Sequence, residues 1–240
     1  MEFNILKADI VNVPANAVVL PANEKLKEGS GTSRAIFSAA GRAMLTKACK
    51  EIGYCKTGTA VPTKAYKLNA DYIIHAAVPR WKGGNNGEYG LLSSAYLSAL
   101  NIADILGCES IVFPLLAAGN NGFDRELALR IAKESIKSFE GNNLKYVTLV
   151  VYGDTMELFV RMQGYDVEIL PEVLDPVVFD PVKAAHIEKR KKLLEEGKDV
   201  AQTILENQIE KALVWLRDEN NVDMVINAGI KIFLEVIKRR

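Results

Sequence analysis

Over the first 165 residues the apolar positions follow two rhythms. Short runs such as Val18-Val19-Leu20 and Ile111-Val112-Phe113 do not alternate with polar residues, the pattern of strands covered on both faces. They predict strands at Ala17–Leu20, Tyr72–Val78, Ser110–Leu116 and Tyr146–Tyr152. The longer segments between them carry a helical period and predict helices over 33–52, 90–106, 124–139 and 154–163. In the first of these, Ile36, Ala40, Met44, Ala48 and Ile52 recur every four residues along one face of a helix. Strands alternating with helices predict an α/β sandwich whose sheet is largely parallel.

The rhythm changes after Gly164. Leu170 to Pro181 holds Pro171, Pro176 and Pro181 and reads as a linker. Asp180-Pro181 then looks like a helix start, a cap followed by proline in the first turn. Amphipathic helices are expected near 182–196, 199–217 and 221–238. The second has a stripe of Val200, Ile204, Ile209, Leu213 and Leu216, and the third one of Val222, Ile226, Ile230, Phe233 and Ile237. Such stripes need burial against the first domain, each other or a second chain. The expected organisation is a domain over 1–165, a linker over 166–181 and a helical extension over 182–240, the last a candidate for homo-oligomerisation.

Composition narrows the partners. Of the 240 residues 49% are hydrophobic and 25% charged, a balance that suits a globular protein with a real core. Thirty basic residues against thirty acidic ones leave no broad attraction for nucleic acid. The cluster Lys189-Arg190-Lys191-Lys192 is flanked by acids and reads as a solvated helix face. No apolar run approaches the roughly 20 residues of a membrane span. Cys49, Cys55 and Cys108 lack metal-ligand spacing, so no metal is expected. Their odd number and the lack of a secretory leader point to reduced thiols in a cytoplasm.

Candidate chemistry lies in two glycine-rich loops that follow strands and precede helices. The first runs from Asn23 to Ser33 and contains Gly29-Ser30-Gly31-Thr32-Ser33. Its amides and the following helix N-terminus suit an anion, most naturally a phosphate. It also reads as a flexible approach to a helix capped by Thr32 or Ser33. The second, Ala117-Ala118-Gly119-Asn120-Asn121-Gly122-Phe123-Asp124, reads as a turn by itself. Together the two loops would clamp a diphosphate from both sides. Neither the dinucleotide fingerprint nor the P-loop motif is present.

Four segments in order resemble the macrodomain family, from about Phe3 to Met162. They are Ala8-Asp9-Ile10-Val11, then Val18-Val19-Leu20-Pro21-Ala22-Asn23 with the Gly29–Gly31 loop and Ala35-Ile36-Phe37-Ser38-Ala39-Ala40-Gly41, then Tyr72-Ile73-Ile74-His75-Ala76-Ala77-Val78-Pro79-Arg80-Trp81, and finally Phe113 to Phe123. The resemblance implies a three-layer α/β/α sandwich with a mixed, largely parallel sheet. It also implies that the ligand is ADP-ribose or a derivative, free or attached to protein, with no cofactor. Asp9 would accept from the adenine amine while the Ile10 amide meets a ring nitrogen. Such a charged bond discriminates against guanine. Tyr152 would lie against adenine, or else belong to the core. The amides of Gly29, Ser30, Gly31, Thr32 and Ser33, with those of Ala118, Gly119, Asn120, Asn121, Gly122 and Phe123, would hold the diphosphate. Asn23 would contact the distal ribose and is the candidate catalytic residue. His75 reads as structural, and Arg34 is expected to point to solvent.

The departures from the family bear on catalysis. Leu20 stands where the family has asparagine. Ser33 and Phe37 stand where members that release ADP-ribose from protein carry aspartate and histidine, and Glu28 where viral-type members carry histidine. General acid–base groups contribute about 10²–10⁴-fold, so turnover is expected to be weak. A binding module is the first expectation. The alternative is a hydrolase of ADP-ribosyl esters, O-acetyl-ADP-ribose or ADP-ribose phosphate with a non-standard site.

Overall fold

In the computed structural model, which describes residues 1–169, neighbouring residues of each central strand feed two different cores. Val19, Ile74, Ile111, Phe113 and Leu149 face one side of a sheet, while Val18, Leu20, Ile73, Val112 and Val150 face the other. Both faces are therefore buried, as the unbroken apolar runs require.

The strands are β1 (Glu2–Lys7), β2 (Ala17–Ala22), β3 (Ala60–Lys64), β4 (Tyr72–Ala77), β5 (Ser110–Pro114), β6 (Tyr146–Val151) and β7 (Glu168–Ile169). They lie in the order β3-β4-β2-β5-β6-β1-β7. β3 runs antiparallel to β4, and the other pairs are parallel. Helices α1 (Thr32–Ala40) and α2 (Arg42–Ile52) cover one face through Ile36, Phe37, Leu45 and Cys49. On the other lie α3 (Glu88–Ile105), α4 (Arg125–Ser138) and α5 (Asp154–Met162), which contribute Leu92, Tyr96, Leu100, Leu129, Ile136 and Val160. This is the expected three-layer α/β/α sandwich.

Two local expectations change. The helix predicted over 33–52 is broken at Gly41, whose φ of +93° no ordinary helical residue adopts. The break resets the phase of the second piece. Leu45 and Cys49 are buried there, while Met44, from the predicted stripe, is exposed. β1, β3 and β7 also add to the four predicted strands. β3 carries Pro62, which lacks an amide and weakens the strand signal, and proline is tolerated at such an edge.

Two features set up the carboxyl end of the sheet. The ladder between β2 and β5 stops at Val18–Val112, so the carboxyl halves of these strands are not bonded to each other, although β2 stays paired with β4 to Ala22 and β5 with β6 to Pro114. Pro21 lies in that half of β2; Ala22 faces β4, accepting from Val78, so Pro21 faces the unpaired side where no amide is needed. At the opposite end, Asn16 ties three strands together. Its Oδ1 accepts from the Glu109 and Ser110 amides and the Ser110 hydroxyl, its Nδ2 donates to Asp71, and its carbonyl accepts from Asp71 and Tyr72. The helices expected over 182–196, 199–217 and 221–238, and most of the expected linker, lie outside the described residues.

Candidate functional site

Four adjacent strands deliver the expected residues to one edge of the sheet. Asn23 follows β2, the loop 115–124 follows β5, Tyr152 follows β6, and Asp9 lies two residues beyond β1. Three inter-strand steps of about 4.8 Å make a track roughly 14 Å long across the strand ends. Ligands of open α/β sheets bind at such ends.

At one end of the track, Lys7 pairs with Val151 and the Ala8 amide donates to Val151 at 3.1 Å, so Asp9 and Tyr152 leave the sheet side by side. One Asp9 oxygen accepts the Val11 amide at 3.2 Å and caps a 3₁₀ turn, Ile10–Asn12. Its other oxygen has no partner among the described residues. The Ile10 amide opens that turn, where no intrahelical carbonyl reaches it. Tyr152 is 77% exposed, which disposes of the core alternative and leaves the ring free to stack.

The first loop, residues 23–31, is closed by its own polar groups. Asn23 Oδ1 accepts from the Lys25 and Lys27 amides, and its Nδ2 donates to the Lys27 carbonyl at 2.7 Å. Both acceptor positions of Asn23 are thus engaged, leaving one N–H to offer a sugar hydroxyl. The buried Ser33 hydroxyl accepts from Gly29 at 3.0 Å. Leu26, at φ +53°, is buried in the bend. Glu24 accepts from the Thr57 amide, the Thr57 hydroxyl and the Tyr54 hydroxyl, and these bonds hold its carboxyl below the ordinary carboxylate range.

The second loop closes differently. Gly122 donates to Gly119 and Phe123 to Ala117, which adopts φ +63°. The buried Tyr96 hydroxyl accepts the Leu116 amide at 2.9 Å, and burial pushes its pKa up. From outside, the Trp81 amide donates to Asn121 at 2.8 Å while the Trp81 and Phe123 rings meet edge to face at 5.1 Å. After Gly29, Gly122 and Phe123 are used internally, the amides of Ser30 to Ser33 and of Ala118 to Asn121 remain without an acceptor among the described residues. Asn120 Nδ2 donates to the Ser30 hydroxyl at 2.5 Å and joins the two loops. Two neighbouring sets of open amides, bridged in this way, suit a polyanion of modest size.

His75 is fully buried in β4, bonded to Thr63 at 2.9 Å, and burial lowers its pKa to about 4. Arg34 is exposed. Sequence reasoning gave no role to Trp81, Glu24 or Glu88. The run Gly83-Gly84-Asn85-Asn86-Gly87 held a signal, since such a turn needs an acceptor for its amides and Glu88 is the next residue.

The family model for the macro domain matches residues 19–132. A macro domain-containing protein of Caldanaerobacter subterraneus subsp. tengcongensis is 40% identical over 157 residues, covering 64% of this chain and 90% of the relative. This chain belongs to the macro domain family. The O-acetyl-ADP-ribose deacetylase 1 of Pantoea vagans is 36% identical, covering 67% of this chain and 98% of that protein. A variant of the Oceanobacillus iheyensis macrodomain solved with ADPR aligns at a TM-score of 0.62 and 28% identity, over 67% of this chain and 90% of that one.

Within this macro domain the departures from the family pattern have structural reasons. Leu20 and Phe37 are both buried on the α1 side of the sheet, where a polar or imidazole side chain would need a partner. Ser33 is occupied in fastening Gly29. Glu28 pairs with Arg42 at 2.7 Å, which directs its carboxylate back toward α2.

Proposed function

We propose that this macro domain binds ADP-ribose, free or attached to protein, as a reader module. The observation that carries the reading is the pair of open amide sets, Ser30 to Ser33 and Ala118 to Asn121, bridged by Asn120 and Ser30 on the strand edge that also carries Asn23 after β2 and Tyr152 and Asp9 after β6 and β1. Asp9 and the Ile10 amide take adenine, Tyr152 covers it, the two loops take the diphosphate, and the remaining Asn23 N–H reaches the distal ribose. The ADPR held by the Oceanobacillus iheyensis macrodomain supports this ligand. The free thiols of Cys49, Cys55 and Cys108 fit a reducing cytoplasm. The segment over 182–240, expected from its sequence to be helical, would serve assembly or stability.

Calorimetric titration tests the reading. ADP-ribose should bind and guanosine analogues should not. Removing a charged hydrogen-bond partner costs about 1.5–3 kcal/mol, so Asp9→Ala should weaken binding roughly 10- to 150-fold. Equal affinity in Asp9→Ala would refute the assignment.

A second reading, slow hydrolysis of O-acetyl-ADP-ribose, is favoured by the named deacetylase relative. It relies on Asn23 orienting the ribose for water, because Ser33 and Phe37 offer neither carboxylate nor imidazole. Release of acetate that vanishes in Asn23→Ala would select it over a pure reader.

A further inference from the structure

Beyond the loops themselves, one buried carboxylate has an unusual set of partners. Glu88, at the N-terminus of α3, is 2% exposed. One of its oxygens accepts from the amides of Lys82 at 2.9 Å and Gly84 at 3.3 Å, and from Asn86 Nδ2 at 3.4 Å. The other accepts the Asn86 amide at 2.6 Å. These donors all belong to the five residues that follow Trp81, and the amide of Glu88 itself adds to them. This loop has no regular structure to satisfy its amides, and Glu88 supplies the acceptors.

The ordered loop in turn seats Trp81. A Cβ on Gly84, whose φ is +85°, would come within 3.0 Å of the Trp81 ring, and Tyr89 meets the same ring edge to face at 5.5 Å. Trp81 then touches the second loop twice, by its amide on Asn121 and its ring on Phe123.

We propose that Glu88 is a positioning residue for the ligand: through the 82–86 turn it fixes Trp81, and through Trp81 it fixes the amides of Ala118 to Asn121 that receive the diphosphate. This rests on the ADP-ribose reading above. Burial works to raise the Glu88 pKa, but the amides of Glu88 itself, Asn86 and Lys82 and the Asn86 side chain outweigh it and hold the group at about 2. Glu88 is therefore a carboxylate throughout the neutral range, with acceptors on both oxygens.

Glu88→Gln is the discriminating change, because glutamine keeps the shape but offers an acceptor on one terminal atom and a donor on the other. Its amide nitrogen or oxygen must then be mismatched with Lys82, Gly84 or Asn86. In the full chain it should weaken ADP-ribose about tenfold, the scale of coupling through one packed relay. AMP, which is held mainly at Asp9, should change less than about twofold on the same grounds. A second readout needs no ligand. With Trp215→Phe leaving Trp81 the sole tryptophan, Glu88→Gln should shift its emission to longer wavelength as the ring becomes wetter. Trp81→Phe retains the carboxylate and should show the same selective loss, which covers the case in which Glu88→Gln does not fold.

Proportional weakening of AMP and ADP-ribose, or unchanged affinity for both, would overturn the role. Unchanged Trp81 emission would overturn it as well. A parent protein that binds neither nucleotide would refute the ligand reading instead, while the emission shift would still decide whether Glu88 seats Trp81.

Discussion

Around the first loop the supporting carboxylate, Glu24, lies at the surface and takes the Thr57 amide and hydroxyl and the Tyr54 hydroxyl. Around the second, Glu88 takes its donors while buried, and Tyr96 and Trp81 fasten the loop from the same side of the molecule. Water competes for Glu24's partners and would satisfy them if the carboxylate left. The bonds to the buried Glu88 carboxylate are part-buried, so water reaches them less easily and losing that acceptor leaves partly shielded amides poorly satisfied. Both loops contain one non-glycine residue in a left-handed conformation, Leu26 and Ala117, so both have a bend that needs support. The first is held by replaceable bonds at its rim. The second is held by packing that cannot be exchanged for solvent.

The largest effect should separate these two supports. Trp81→Ala removes a partly buried aromatic that joins the 82–86 turn to the second loop and should cost about 3 kcal/mol of stability, the lower end for such truncations. Tyr54→Ala, at the exposed support of the first loop, should give no measurable shift in Tm. Equal shifts in thermal unfolding would break the contrast.

Acid should then loosen the two sides in sequence. His75 lies under the first side, where Cys55, whose amide donates to the Glu24 carbonyl, reaches the His75 carbonyl with its thiol. The folded His75 pKa is depressed from 6.5 to about 4, so the unfolded chain takes up a proton first as pH falls. The contribution is complete above about pH 6.5 and is lost between there and pH 4, a change on the order of 3 kcal/mol. Glu88 also has a depressed pKa, about 2 against an ordinary 4.5, so its contribution stays until pH falls below about 4.5. Hydrogen exchange at pH 5 should show amides around Thr57 opening before those of Lys82 and Asn86. His75→Gln should flatten the slope of stability between pH 6.5 and 4; an unchanged slope would assign it to other groups.

The smallest effect concerns the bond that joins the loops. Ser30→Gly removes the acceptor for Asn120 at an exposed position, so stability should stay within about 0.5 kcal/mol. Association and dissociation of ADP-ribose should both accelerate, with little net change in Kd. Stopped-flow rates equal to those of the parent would show that this bond does not gate the track.

Much of this was legible in the sequence, for identifiable reasons. The parallel core strands were visible because burial on both faces writes unbroken runs such as Ile111-Val112-Phe113. Asp9 and the glycine-rich loops were visible through motifs and Tyr152 through its place at the end of a predicted strand, and the sheet brings them to one edge. The break at Gly41 was hidden because apolar residues continue at helical spacing on both sides, and only the backbone angle resets the phase. β3 was hidden by Pro62 and its short length. The internal use of the Asn23 amide, and the relay from Glu88 to Trp81, depend on which donors happen to lack acceptors after folding. No spacing rule encodes that accounting.

Asn16 has a consequence for how the molecule assembles. It links chain positions 16, 71 and 110, so its bonds close only after segments of 55 and 94 residues have returned to one place. The entropy of closing such segments grows slowly with length, but nothing local rewards the search until all three strand ends meet. A one-residue slip there would turn every side chain of a strand to the wrong face. Asn16 lies roughly 20 Å from the ligand loops, the length of the six residues of β2. Its replacement by alanine is therefore expected to lower refolding yield and slow refolding, while the molecules that do reach the native register keep the parent's affinity for ADP-ribose.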